Sequence, residues 1–275
     1  MEDDATIQHE RVANFDFHRS TVFFLKHLYH ARRIRDRILE CFERAASPVA
    51  SEEERRDLLH FVVVGGGATS CEFATELSEF LEKDVRQWFP DLADLVSLSI
   101  VEAGPNLLAG FDETCWRYYT KHLREHNVDV RTGCAITSVD PADDGRVSSA
   151  TMANGSSIRF GCMVWSAGLA PVKFIDGLPD GVAERGPGGR IIVDDRQQVP
   201  GWEGRLWGVG DCCIYPDKPL PPIAPAAQQQ GQFVAAAINA GGGRPARPFE
   251  LWGMGSMANL GIGQGILDLQ VFGKS

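Results

Sequence analysis

The chain has 275 residues, 44% hydrophobic and 23% charged, with a formal net charge of −10. That length suits one large or two ordinary domains of about 100–200 residues each, and that composition supports a sizeable packed core. The acidic balance argues against a nucleic-acid backbone as partner, because phosphate binding leans on clustered Lys and Arg.

In chain order, Thr21 to Ala46 reads as one amphipathic helix, with Leu25, Leu28, Ile34, Ile38 and Phe42 at helical spacing. Arg32, Arg33, Arg35 and Arg37 share it, either as a basic binding face or, more simply, as a solvated face. Ser47-Pro48 ends it, and Ser51 with Glu54 starts a short second helix to about Leu59 by a capping-box pattern. Phe61-Val62-Val63-Val64 is an unbroken apolar run, the mark of a buried parallel strand. A glycine turn follows, then a helical pattern with Phe73, Leu77, Phe80 and Leu81, then a second strand, Leu98 to Val101. Asp112 caps a helix running to about His126. Val128 to Val130 is a short strand. Turn signals at Asp143-Asp144-Gly145 and Asn154-Gly155 predict a small antiparallel meander. Phe160 to Trp165, Arg190 to Val193 and Leu206 to Val209 read as further strands, with a Gly- and Pro-rich loop from Pro171 to Gly189. Pro216 to Pro225 is a proline-rich connection and Ala226 to Ala240 a helix. The glycine-studded last segment has no clear pattern.

The seven cysteines include no C-x-x-C pair, so neither a disulfide framework nor a zinc site is expected, and no metal ligand set is evident. The adjacent Cys212-Cys213 is either a redox-active pair or two small apolar residues beside a strand end. No stretch approaches the roughly 20 apolar residues of a membrane-spanning helix. The acidic start, Met1-Glu2-Asp3-Asp4, resembles neither a signal nor a transit peptide, so either the protein is not imported or the natural protein begins elsewhere.

Two motifs carry chemistry. The first is Gly65-x-Gly67-x-x-Ser70 between a strand and a helix, a dinucleotide-binding pattern. Gly65 permits a tight turn, Gly67 lets the backbone approach a pyrophosphate, and the helix N-terminus offers unpaired N–H groups and positive potential. Ser70 stands where a third glycine is usual, a tolerable exchange of one small residue for another. Glu102 ends the second strand, where a carboxylate accepts ribose hydroxyls and repels a 2′-phosphate, favouring NADH over NADPH. It lies further from the turn than the usual about 20 residues, and an insertion from Asp84 to Asp94 would absorb the excess. The alternative is a solvent-facing Glu. The second motif is Leu206 to Asp211, an apolar strand ending in Gly210-Asp211. That is the pattern by which two-dinucleotide flavoproteins hold the ribityl chain of FAD.

With both motifs in this order, the chain resembles the type II, non-proton-pumping NADH:quinone oxidoreductases of the pyridine-nucleotide-disulfide oxidoreductase superfamily. The segments Phe61–Ala74, Ile100–Gly104, Val164–Gly168, Gly208–Cys212, Ala227–Gly231 and Gly255–Gly261 carry the resemblance, which runs from about Phe24 almost to the C-terminus. It implies an α/β, Rossmann-like two-dinucleotide-binding fold, an NADH domain inserted in an FAD domain that is incomplete here. The expected divisions are 1–58 as a helical lead-in and the end of the first FAD-domain segment, 59–168 as the NADH domain, and 169–275 as the second FAD segment and start of a C-terminal region.

The resemblance also implies roles. Gly65, Gly66, Gly67, Ser70 and Glu102 would bind NADH, Ala167 and Gly168 would form the loop where nicotinamide meets flavin, and Gly210 and Asp211 would hold FAD. The catalytic candidates are Glu72, near the nicotinamide, and Gln229 and Gln230, where quinone meets the flavin. Glu72 is equally well explained as a carboxylate favoured by the helix dipole, and the glutamines as ordinary polar residues of a helix start. The implied cofactors are FAD and NADH. The implied partners are a quinone and a membrane surface reached through a C-terminal region absent here, with no nucleic acid and a homodimer allowed. The implied location is the mitochondrial inner membrane, peripherally.

Three departures qualify this. The family's first strand and G-x-G-x-x-G, which hold the FAD ADP moiety, have no counterpart before Phe61, and the chain stops at Ser275 where amphipathic membrane helices should start. Pro225 replaces the first glutamine of the quinone-facing segment, and Ser70 a glycine. A truncated chain would fit the first two. The rivals are a degenerate NADH-binding module or accessory subunit without flavin turnover, and another FAD-dependent NAD(P)H reductase.

Overall fold

The apolar run at Phe61 lies at the centre of a five-stranded sheet, and Phe61, Val62 and Val63 are almost completely excluded from solvent. This computed structural model describes residues 21–140, 145–168, 171–243, 245–253, 255–261 and 264–268. They divide into two units, the described residues of 21–168 with 256–268 and those of 171–255.

In the first unit the strands are β1 (Val22–Phe24), β2 (His60–Val64), β3 (Ser97–Val101), β4 (Val128–Arg131) and, after a meander, β8 (Cys162–Trp165). Their order is β1-β8-β2-β3-β4 and every pairing is parallel. A parallel sheet covered on both faces favours β-branched and apolar residues, which β8 and Phe61–Val64 of β2 supply, while β3 alternates Ser97 and Ser99 with Leu98, Ile100 and Val101.

The start of the chain departs from expectation. Val22–Phe24 is not helical but pairs with Met163, Val164 and Trp165 of β8. These β-branched and aromatic residues gain more from the sheet edge than from a helical turn. Helix α1 begins only at Leu28 and runs to Ala45. Leu28, assigned above to the apolar face, is 72% exposed, while Ile34, Ile38, Cys41 and Phe42 are buried. Arg37 belongs to neither face expected of it. It is buried, and its guanidinium donates to the carbonyls of Gly161 (2.9 Å) and Arg146 (2.5 Å) and to Glu40 (3.0 Å).

Helix α2 (Glu52–Leu58) follows, with Ser51 Oγ accepting the Glu54 N–H at 3.1 Å. After β2, helix α3 (Ala68–Phe80) continues through a π turn, Leu81–Val85, and a last turn, Arg86–Trp88. This added helical length fills part of the interval to β3. Helix α4 (Glu113–Glu125) is capped by Asp112, whose Oδ1 accepts the Thr114 N–H. The meander is β5 (Ile136–Asp140), β6 (Ser148–Met152) and β7 (Ser157–Phe160), antiparallel throughout. Asp143 and Asp144 of its first predicted turn lie outside the described residues. The patternless last segment forms a hairpin, β11 (Ser256–Gly261) with β12 (Gln264–Asp268), packed on α3 and α4.

In the second unit the elements are short. They are α5 (Lys173–Asp176), β9 (Ile191–Ile192) paired in parallel with β10 (Cys213–Ile214), and α6 (Ala224–Asn239). Ile175, Ile191, Val193, Val199 and Cys213 form its core. The strand expected at Leu206–Val209 reduces to a single bridge, Trp207 to Gln198, flanked by bonds from Val199 N to Leu206 O and Gly208 N to Gln197 O. Gln197, Gln198 and Val199 are the residues that run alongside it. Pro225, placed above in the connection, lies in the first turn of α6, where its missing N–H costs nothing.

Candidate functional site

The end of β2 enters the glycine turn, and each glycine there has a different reason. Gly65 sits at φ +118°, and a Cβ on it would fall 2.6 Å from Ser70 Oγ and 3.1 Å from the Ala167 nitrogen. Only glycine fits. A Cβ on Gly66 would fall 2.7 Å from Glu102 Cγ, because the Glu102 side chain lies over it. Gly67, the N-cap of α3, is open, and a Cβ there would meet no atom within 4 Å. The first turn of α3 leaves its N–H groups pointing into that opening. Free space, orphan donors and dipole coincide where a pyrophosphate would lie, so the residues present fit a dinucleotide.

Glu102 is held in place. Its Oε1 accepts the Gly104 N–H at 2.5 Å, its backbone nitrogen donates to Arg131 O, and Oε2 faces Gly66. The free edge of the carboxylate therefore points at the turn. The side chain is half-buried rather than extended into solvent.

Ser70 is completely buried, and its hydroxyl meets the Ser166 hydroxyl at 2.5 Å. The bond ties the first turn of α3 to the segment leaving β8. Ala167 and Gly168 follow directly, Ala167 O accepting Trp165 Nε1 at 3.2 Å and Gly168 turning at φ +80°. The turn, Glu102, Ser70, Ala167 and Gly168 thus all gather at the C-terminal ends of β2, β3 and β8, the usual binding edge of an open parallel sheet.

Glu72 lies one residue beyond the first turn of α3. Its Oε1 accepts the Asn259 backbone N–H at 3.1 Å, and Glu76, one turn on, accepts Asn259 Nδ2 at 3.0 Å. Asn259 Oδ1 in turn accepts the Gly261 N–H. Sequence reasoning missed this use of Glu72. The i, i+4 pair Glu72 and Glu76 was visible, but nothing local announced that the hairpin would dock there.

The second unit carries the other candidates. Gly210 turns at φ +72° and opens a 3-10 turn, Gly210–Cys212, which presents Asp211 at the surface. Gly210 and Asp211 help line a narrow cleft together with Arg190, Ile223 and Ala227. A Cβ on Gly210 would press to 3.2 Å from Ala227 Cβ, so backbone alone borders the cleft there. An exposed carboxylate beside bare backbone fits a polyhydroxyl chain such as ribityl.

Gln230 is 5% exposed, its Oε1 accepting the Gly210 N–H at 2.7 Å and its Nε2 donating to Gln197 Oε1 at 2.9 Å. Gln229 clasps Trp252, donating to its carbonyl at 2.7 Å and accepting its N–H at 2.9 Å. Both side-chain amides are therefore engaged within the fold, a use no sequence signal announced. Gln197, buried at φ +64°, is a further participant that sequence reasoning did not single out.

The family model of pyridine nucleotide-disulphide oxidoreductases matches residues 11–231. A Dictyostelium discoideum protein named "Probable NADH dehydrogenase" is 35% identical over 256 residues, 92% of this chain and 54% of that protein. The internal alternative NAD(P)H-ubiquinone oxidoreductase A1, mitochondrial, of Arabidopsis thaliana is 33% identical over 263 residues, 90% of this chain and 49% of its own. The chain spans about half the length of these curated relatives. Among solved structures, NDH2 from Plasmodium falciparum in complex with NADH superposes with a TM-score of 0.77 at 21% identity, covering 91% of this chain and 65% of that one. At that identity the likeness carries the fold.

Proposed function

The chain belongs to the pyridine nucleotide-disulphide oxidoreductase family, and from that premise we propose that it serves the oxidation of NADH through FAD, with a membrane quinone as electron acceptor. The observation that carries the reading is the opening over Gly67, roofed by no side chain and edged by the fixed carboxylate of Glu102. The names of the relatives supply the acceptor and the mitochondrial setting, which we extend to this chain, with the inner membrane surface as the place where a lipid-held quinone is met.

In this reading the N–H groups of the first turn of α3 bind the pyrophosphate and Gly65 keeps the turn tight. Glu102 accepts the adenosine ribose hydroxyls and repels a 2′-phosphate. Ser70, through Ser166, sets the course of Ala167 and Gly168, where one methyl and no side chain at all leave the nicotinamide room. Asp211 accepts a ribityl hydroxyl, and Gly210 gives that chain close passage. FAD, when bound, supplies the two-electron acceptance of hydride that no side chain here can provide. Glu72 stands on the same helix as the pyrophosphate site and would act on the nicotinamide through its carboxylate, while Gln229 and Gln230 would border the quinone.

A second reading is an NADH-binding module without quinone turnover. The engagement of both glutamine amides within the fold favours it. Purifying the chain and recording its visible spectrum, its NADH affinity and its quinone-dependent NADH oxidation separates the two. A flavin spectrum with turnover sinks the module. NADH binding without flavin or turnover sinks the enzyme reading for this chain, and loss of NADH binding altogether sinks both.

A further inference from the structure

We propose that Leu108 is a positioning residue for the dinucleotide, whose left-handed backbone locks the peptide between Gly66 and Gly67 so that the Gly67 N–H faces outward. The inference rests on the reading of Gly65 to Gly67 as the pyrophosphate site. Among the described residues Leu108, Asn127 and Gln197 are the non-glycine positions with positive φ, and Leu108, at +50°, is the one with an apolar side chain. Such a side chain offers no local hydrogen bond to offset that conformation, so the surroundings must impose it.

The surroundings do so by burial and by ties on both sides. Leu107 and Leu108 are almost completely excluded from solvent and belong to the core that holds Cys71, Ala74 and Tyr119. Ahead of them the Glu102 N–H donates to Arg131 O, and the Gly104 N–H to the Glu102 carboxylate. Behind them the Phe111 N–H donates to Leu108 O at 2.8 Å, and the Asp112 N–H to Asp268 at 2.7 Å.

The left-handed turn delivers one bond. The Leu108 N–H donates to the Gly66 carbonyl at 2.7 Å, and the Cys71 S–H reaches the same oxygen at 3.5 Å. Both donors come from the core, so the Gly66 carbonyl points inward. In a planar trans peptide the next N–H points the opposite way. The Gly67 N–H therefore faces away from the core, and Gly67 itself borders open space. Glu102 holds the other flank, its Cγ standing 2.7 Å from where a Gly66 Cβ would be. A peptide between two glycines otherwise turns over easily. Locked in this sense, it offers its N–H to a phosphate oxygen without rearrangement, and bonds to charged oxygens are the stronger ones.

The test uses the purified 275-residue chain with Leu108→Ala, Leu108→Gly and Leu107→Ala, reading NADH affinity by nicotinamide fluorescence and ADP-ribose affinity by displacement of NADH. Leu108→Ala keeps the strain and loses the anchor, so its backbone relaxes and releases Gly66. NADH and ADP-ribose share the pyrophosphate, and both should bind about tenfold more weakly. Leu108→Gly loses still more side chain but adopts the left-handed turn freely, so it should recover most of that affinity. Leu107→Ala empties an equally buried place and should lower melting as much as Leu108→Ala with little change in affinity. Wild-type affinity in Leu108→Ala, or affinity in Leu108→Gly no better than in Leu108→Ala, overturns the proposal.

Amide exchange on the wild-type chain decides the matter where a variant does not fold. The Leu108 amide should exchange at least about tenfold more slowly than the Gly67 amide in the free chain, and ADP-ribose should slow Gly67 while leaving Leu108 unchanged. A Gly67 amide already protected in the free chain overturns the proposal while the pyrophosphate reading stands. A wild-type chain that binds neither NADH nor ADP-ribose overturns both.

Discussion

Gln230 Oε1 accepts the Gly210 N–H from twenty residues away, and so the side chain expected to meet a substrate also fixes the turn that presents Asp211. Replacing Gln230 by Leu takes away the acceptor of the half-buried Gly210 N–H and the donor to the buried Gln197 Oε1. The expected loss is about 1–3 kcal/mol of stability in urea or thermal unfolding, with faster hydrogen exchange at 208–213. Gln229→Ala, whose bonds to Trp252 are exposed, should cost less.

Gly65 and Gly67 should behave oppositely when each becomes alanine. Gly65→Ala forces a side chain into a left-handed conformation and against Ser70 and Ala167, a loss of roughly 1–3 kcal/mol. Gly67→Ala places a methyl in open space at φ −73°, so melting should be unchanged or raised by the equivalent of about 0.5 kcal/mol. NADH affinity, followed by nicotinamide fluorescence, should nevertheless fall, since the methyl occupies the pyrophosphate's place. Unchanged affinity in a stable Gly67→Ala chain would remove the cradle from the argument.

His60 predicts a pH dependence. Burial holds its imidazole below the ordinary value, with the charges of Arg131, Asp129 and Asp57 and the Arg159 backbone as smaller influences, and its Nε2 meets Ser99 Oγ at 2.9 Å. The unfolded chain then takes up a proton that the folded chain refuses. Its share of stability is present above the ordinary histidine value of about 6.5 and is lost as pH falls below it. The melting temperature should drop between about pH 6.5 and 5, and His60→Gln should flatten that part of the profile.

Asn259 should govern the hairpin. Asn259→Ala removes the bonds to Glu76 and Gly261 but leaves the backbone bond to Glu72. Limited proteolysis and hydrogen exchange over 256–268 should both accelerate, with a stability loss of about 1 kcal/mol. Glu72→Gln keeps an acceptor for the Asn259 N–H. A fall in turnover without faster exchange in the hairpin would therefore assign Glu72 a role beyond the fold, and faster exchange alone would assign it to the hairpin.

The parts of this molecule legible in its sequence are those set by neighbours in the chain. Phe61 to Val64 reads as a buried strand because four apolar residues in a row have no solvent face, and the Gly65 turn and Ser51 and Asp112 caps are local chemistry. Val22–Phe24 was misread because its partner, β8, lies far along the chain and tips short segments towards strand. Leu206 to Val209 failed the other way, apolar enough for a strand but lacking one beside it. The bonds of Gln229, Gln230 and Glu72 were illegible because each joins a side chain to a backbone group or amide that folding alone brings near.

Asp268 accepts the Asp112 N–H at 2.7 Å from 156 positions further along the chain. A ribosome emitting this protein therefore delivers the sheet, its turn and helices long before the hairpin that covers α3 and α4. Nearly the whole of the other unit is synthesised in between. Closure of that flank therefore comes last, because contacts so distant in sequence form slowly.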